Sequence, residues 1–159
     1  MVAKPKLELL PSYLKAIENS VNSNLFRSLY YRIDGEIIDV LYDGDLSCAI
    51  YVTTILFLFG LIKERHTTIK ATLDDLIESG WYKIKRPRKG AVTIWDYRKK
   101  EDGTLGTHWH LGFYINKETA VSNVFSARIV QSHHPTFGKS ENGKPQRKIL
   151  TYYWNKKLN

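Results

Sequence analysis

Residues 49–62 form an apolar run of 14 residues that includes two threonines and one glycine. Wound as a helix, the run is apolar on nearly every face, through Ile50, Val52, Ile55, Leu56, Phe57, Leu58, Phe59, Leu61 and Ile62. A helix without a polar face must be covered on several sides, so the rest of the chain has to fold around it. The pattern predicts a central helix over 46–64. It closes on Lys63-Glu64-Arg65-His66, whose basic residues suit the negative helix end. A membrane span needs about 18 or more apolar residues, so the run reads as a buried helix and no membrane span is expected. The 159 residues fit one domain, and 43% apolar content excludes wholesale disorder.

The only cysteine, Cys48, stands where the polar stretch Asp43-Gly44-Asp45 gives way to this run. One cysteine excludes an intramolecular disulfide and any multi-cysteine zinc site. A lone thiol at such a junction is either a small core residue or a nucleophile. A helix N-terminus supplies partial positive charge and free N–H groups. These lower a thiol pKa and can stabilise the oxyanion of a tetrahedral intermediate. Asp43 and Asp45 oppose a thiolate, so a nucleophile here requires a basic partner.

The remaining chain reads as helices followed by strands. Residues 1–10 are expected as a flexible arm and 11–159 as one domain. Ser12 is the expected N-cap of helical structure across 12–31, as two short helices or one kinked one. Asp34-Gly35 predicts a small hairpin between 31–33 and 36–38. Thr72-Leu73-Asp74-Asp75 resembles a capping box, predicting a short helix over 73–79 stopped by Gly80. Strands are expected over 90–95, 108–115, 120–124, 127–131 and 149–154. A polar loop is expected over 99–107, and a frayed basic tail after 154. The order favours an α+β domain, with helices on one side of an antiparallel sheet of about five strands.

The candidate base is a histidine. His108 and His110 sit two apart on an expected strand, hence on one face. A histidine at a strand end, aimed at a helix N-terminus, works as a general base. A third group should hold the imidazole in its tautomer. Asn123, polar on an otherwise apolar segment of the next strand, is the first candidate, and its neighbour Ser122 is the second. His133 and His134 are candidates for added contacts. The residue types also permit zinc on the histidines and Cys48, but no metal-ligand spacing supports it, so no metal or cofactor is expected.

Three blocks resemble the papain-like cell-wall hydrolases, the NlpC-type endopeptidases and CHAP-type amidases. They are Leu46-Ser47-Cys48-Ala49-Ile50-Tyr51-Val52, Gly90-Ala91-Val92-Thr93-Ile94-Trp95 and His110-Leu111-Gly112-Phe113-Tyr114-Ile115. The resemblance covers about residues 40–130. It implies a papain-like fold with the Cys-bearing helix packed on the sheet, Cys48 as nucleophile, His110 as base and Asn123 as orienting residue. The function it implies is hydrolysis of amide bonds, first of all in peptidoglycan stem peptides. Trp95, His108, Trp109 and His134 are the candidate substrate contacts.

The net charge of +8 favours an anionic partner, and residues 83–100 hold eight basic residues against one acidic residue, Asp96. A wall polymer fits this charge. No nucleic-acid motif is present, so nucleic acid is not the expected partner. No signal peptide is evident, which places the chain in the cytoplasm by default, with leaderless export or release by lysis as the alternatives. Two other readings stand beside the first. One is the same fold acting on an intracellular protein or acyl substrate; the other is a non-catalytic basic binding module.

Overall fold

The computed structural model describes residues 4–97 and 108–159. The loop expected over 99–107, and the basic residues 98–100, lie outside the described residues. The described residues form three helices, a separate two-stranded hairpin and a six-stranded sheet, an α+β arrangement. Helix α1 spans Leu9–Asn19, α2 Cys48–Leu58 and α3 Ile69–Glu78. The hairpin pairs β1, Tyr30–Ile33, with β2, Glu36–Asp39. The sheet contains β3 Trp81–Ile84, β4 Val92–Trp95, β5 His110–Asn116, β6 Thr119–Val124, β7 Ile129–His133 and β8 Ile149–Asn155. Its order is β3-β8-β4-β5-β6-β7, antiparallel at every pairing.

The core lies between the helices and one face of this sheet. Leu111 and Phe113 on β5 and Val121 on β6 meet Ile55, Leu56 and Tyr51 of α2 there. Tyr13 of α1 joins them, with its ring edge-on to Phe113 and its hydroxyl donating to Gly90 O at 2.6 Å. Among the described residues, no helix is long and apolar enough to cross a membrane.

Several boundaries differ from expectation, each for a local reason. Helix α1 starts at Leu9, ahead of Ser12, because Pro11 falls in the first turn, where its missing N–H costs nothing. No helix continues beyond residue 20. Asn22 takes a positive φ, and the backbone of 22–23 exchanges hydrogen bonds with Val130 of β7, so these groups serve the sheet. Helix α2 is shorter than 46–64. The chain turns at Gly60, and Leu61 N–H returns to Leu56 O, leaving Phe57 and Leu58 exposed. Helix α3 begins earlier, with Thr68 capping Ala71 N–H, so Thr72 lies inside the helix. The sheet has six strands because Trp81–Ile84 adds an edge strand beside β8. The hairpin forms as expected. Asp34 and Gly35 both take positive φ, the conformation a two-residue turn of this kind requires and glycine adopts without strain.

The basic tail is ordered. Lys156–Leu158 forms one 3₁₀ turn capped by Asn155, and Leu158 is buried against the core. Leu158→Ala should therefore cost about 2–5 kcal/mol in urea unfolding. A frayed tail would give a change near zero.

Candidate active site

Cys48 is the first residue of α2, and its position follows from the turn before it. Asp43 accepts hydrogen bonds from both Arg27 and Arg128, and its backbone N–H donates to Asp39. The paired guanidinium groups hold the Asp43 carboxyl at about 2, Arg27 contributing most. Of the two carboxylates expected to oppose a thiolate, Asp43 is thus taken up by two arginines. Asn123 Nδ2 donates to Gly44 O at 2.8 Å and ties this turn to β6.

The thiol is half-buried. Its pKa is raised, not lowered as the helix end alone predicts. Burial is the largest influence and outweighs the Leu111 N–H, the Arg147 charge and the N–H groups of Ala49 and Cys48 itself, all of which favour the thiolate. The Leu111 N–H among these groups belongs to the residue that follows His110.

His110 opens β5 and is buried, 7% exposed. Its ring lies on the sheet face opposite Leu111, with Trp95 and Phe137 at centroid distances of 5.6 and 5.7 Å. His110 Nε2 is 2.8 Å from Ser122 Oγ, and the same oxygen is 2.8 Å from His133 Nε2. Burial, the nearby Arg147 charge and His133 push the His110 pKa well below its ordinary value. His133 is lowered too, chiefly by burial. At neutral pH the site therefore holds a thiol and two uncharged imidazoles.

Asn123 is corrected as the orienting group. A regular two-residue turn pairing Asn116 with Thr119 places Asn123 opposite Gly112, on the His110 face. The register shifts between Tyr114 and Asn116, so Phe113 faces Val121 and Ser122 takes that place. One residue of slip exchanges the two faces of a strand, and the bulge sends Asn123 to the α2 side. Ser122, the second candidate, is the group that bonds His110.

Trp95 is also corrected. It is fully buried beneath the 133–147 segment, its indole N–H donating to Pro135 O at 2.6 Å, so it supports His110 and offers no groove surface. His108 is exposed. Trp109 is partly exposed, with its ring tilted against Tyr97 at 6.2 Å. His134 Nδ1 lies 2.8 Å from Thr136 Oγ1, at the start of the covering loop.

Sequence reasoning missed two contributors. Arg147 donates from Nε to Asp96 O and from Nη2 to His108 O, joining the end of β4 to the approach of β5. Its charge acts on Cys48, His110 and His133 alike. Phe137 stacks on His133 at 3.9 Å and closes the site from above. Only the basic character of Arg147 is a signal in the sequence, since both residues lie in a loop without periodicity. Among the described residues, no three His, Cys, Asp or Glu side chains are grouped to hold a metal. Two buried oxygens, Ser47 Oγ next in the chain to Cys48 and Asn123 Oδ1 on β6, lack a hydrogen-bond partner among the described residues.

No family model and no curated protein matches this chain.

Two outcomes follow from the geometry. A Cβ on Gly112 would lie 2.5 Å from Val121 O, 2.7 Å from Ser122 Cβ and 3.0 Å from Trp95 Cζ3. Gly112→Ala should cost about 1–3 kcal/mol in urea unfolding and disturb the Ser122–His110 contact. The second outcome concerns pH. Both imidazoles have folded pKa values below the ordinary 6.5, so the unfolded chain binds more protons as pH falls through that value. Stability should drop between about pH 6.5 and 5, above the range in which most carboxylates titrate. The drop should shrink in the double variant His110→Asn, His133→Asn.

Proposed function

We propose that this domain is a papain-like cysteine hydrolase of amide bonds, of the NlpC or CHAP kind, with peptidoglycan stem peptides as its first substrate class. One arrangement carries the reading. A buried histidine, bonded to Ser122 and through it to His133, stands next in the chain to Leu111, whose N–H favours the thiolate of a cysteine at a helix N-terminus.

The chemistry runs from a neutral pair. His110 takes the thiol proton as the Cys48 sulfur bonds to the substrate carbonyl carbon. The N–H groups of the first α2 turn have no intrahelical acceptor and are available to the oxyanion. The C–N bond then breaks, and the imidazolium returns its proton to the leaving amine. Water, deprotonated by the same imidazole, cleaves the thioester and restores the thiol. Arg147 favours the thiolate, disfavours a resting imidazolium and so poises His110 as a base. Exposed Lys83, Lys85, Arg86, Arg88 and Lys89 give the β3–β4 connection a basic surface suited to an anionic wall polymer.

Purified cell walls are the test. The native protein should release new amine termini. Cys48→Ala should lower the rate by at least about 10³-fold, and His110→Gln by about 10²–10⁴-fold, with folding intact by circular dichroism. Absence of new amine termini with the native protein, or an unchanged rate in Cys48→Ala, would overturn the reading.

A further inference from the structure

We propose that His133 is a positioning residue that sets the tautomer of His110 through Ser122, leaving His110 Nδ1 as the bare nitrogen of the ring. The inference extends the reading of His110 as a base, but the tautomer is measurable without any substrate.

The hydrogens along one chain of hydrogen bonds fix the tautomer of each ring. His133 Nδ1 lies 2.8 Å from the backbone oxygen of His134. A carbonyl only accepts, so Nδ1 of His133 carries the hydrogen. A neutral imidazole has one N–H, hence Nε2 of His133 has a lone pair. That nitrogen is 2.8 Å from Ser122 Oγ and accepts the hydroxyl hydrogen. A serine hydroxyl has one hydrogen to give, and it is now committed. His110 Nε2, 2.8 Å from the same oxygen, must therefore donate. His110 holds its single N–H at Nε2, and Nδ1 is left unprotonated. Burial keeps both rings neutral, as the count requires.

The surroundings hold the chain in register. Phe137 stacks on His133 with ring planes 23° apart, and Trp95 lies 5.7 Å from its centroid. The absence of a Cβ on Gly112 lets Ser122 and Trp95 close in. With no acceptor at position 133, the Ser122 hydroxyl is free to turn and donate to His110 Nε2. That reversal moves the His110 hydrogen to Nδ1 and removes the base.

Long-range ¹H–¹⁵N correlation spectra of the histidine rings, recorded at a pH where both are neutral, read the tautomers directly. In the native protein His133 should be the Nδ1–H form, the minor tautomer of free histidine, and His110 the Nε2–H form alone. In His133→Phe, which keeps the stacking on Phe137, the His110 signals should become a mixture of both forms. In the cleavage assay that variant should lose kcat with KM little changed. His133 as the Nε2–H form, or His110 as the Nδ1–H form, in the native protein would overturn the proposal, and so would an unchanged His110 in a folded His133→Phe. The native spectrum decides even where the variant does not fold. A correct tautomer pattern in a protein that cleaves no amide would remove the hydrolase reading and leave this one standing. The reverse result would do the opposite.

Discussion

The packing of α2 across β5 and β6 is the contact on which the rest depends. Burying one large aliphatic side chain contributes about 1.5–3 kcal/mol, and this helix buries Ile50, Val52, Ile55 and Leu56 together with Tyr51. Exposed ion pairs contribute about 0–1 kcal/mol each, so Lys15–Glu18 or Lys63–Glu78 cannot direct the fold. With the helix seated, its first residue has nowhere to go but beside the start of β5. The polar turn before it is then steered by smaller forces: Asp43 between two arginines and Asn123 on Gly44.

The opposite sheet face follows a different rule. It buries Trp95, His110 and Ser122 and half-buries His133, and buried polar groups are costly unless each finds a partner. Here every step of the chain from His110 to the His134 carbonyl is paired. Partnered in a low dielectric, such a chain is rigid and directional. Arg147 sits at its edge as a fixed positive charge. The thiol thus belongs to the apolar core on the helix side of the sheet, and the imidazole to the polar chain on the opposite face.

Much of this architecture is legible in the amino-acid sequence. The alternation in Gly90-Ala91-Val92-Thr93-Ile94-Trp95 and in the segment after His110 marks two central strands, and Asp34-Gly35 marks the hairpin. Local pattern misleads where tertiary contacts override it. Residues 22–31 carry helical spacing, yet the backbone groups of 22–23 are taken up by β7. The tail after residue 154 is polar and short, yet one leucine anchors it. Arg147 and Phe137 act from a loop, where no period announces which side chain turns inward.

The sequence by itself determined that a long apolar helix, opened by a single cysteine, had to be covered by an antiparallel sheet bearing His110. That followed from hydrophobic period and chain length, which are local. Tertiary structure alone decided the partner of His110. A single bulge between Tyr114 and Asn116 slips β6 by one residue, turns Ser122 toward the ring and sends Asn123 to the helix side. Strand side chains alternate with a period of two, so one extra residue reverses every face beyond it, and no local pattern in 110–124 records that slip.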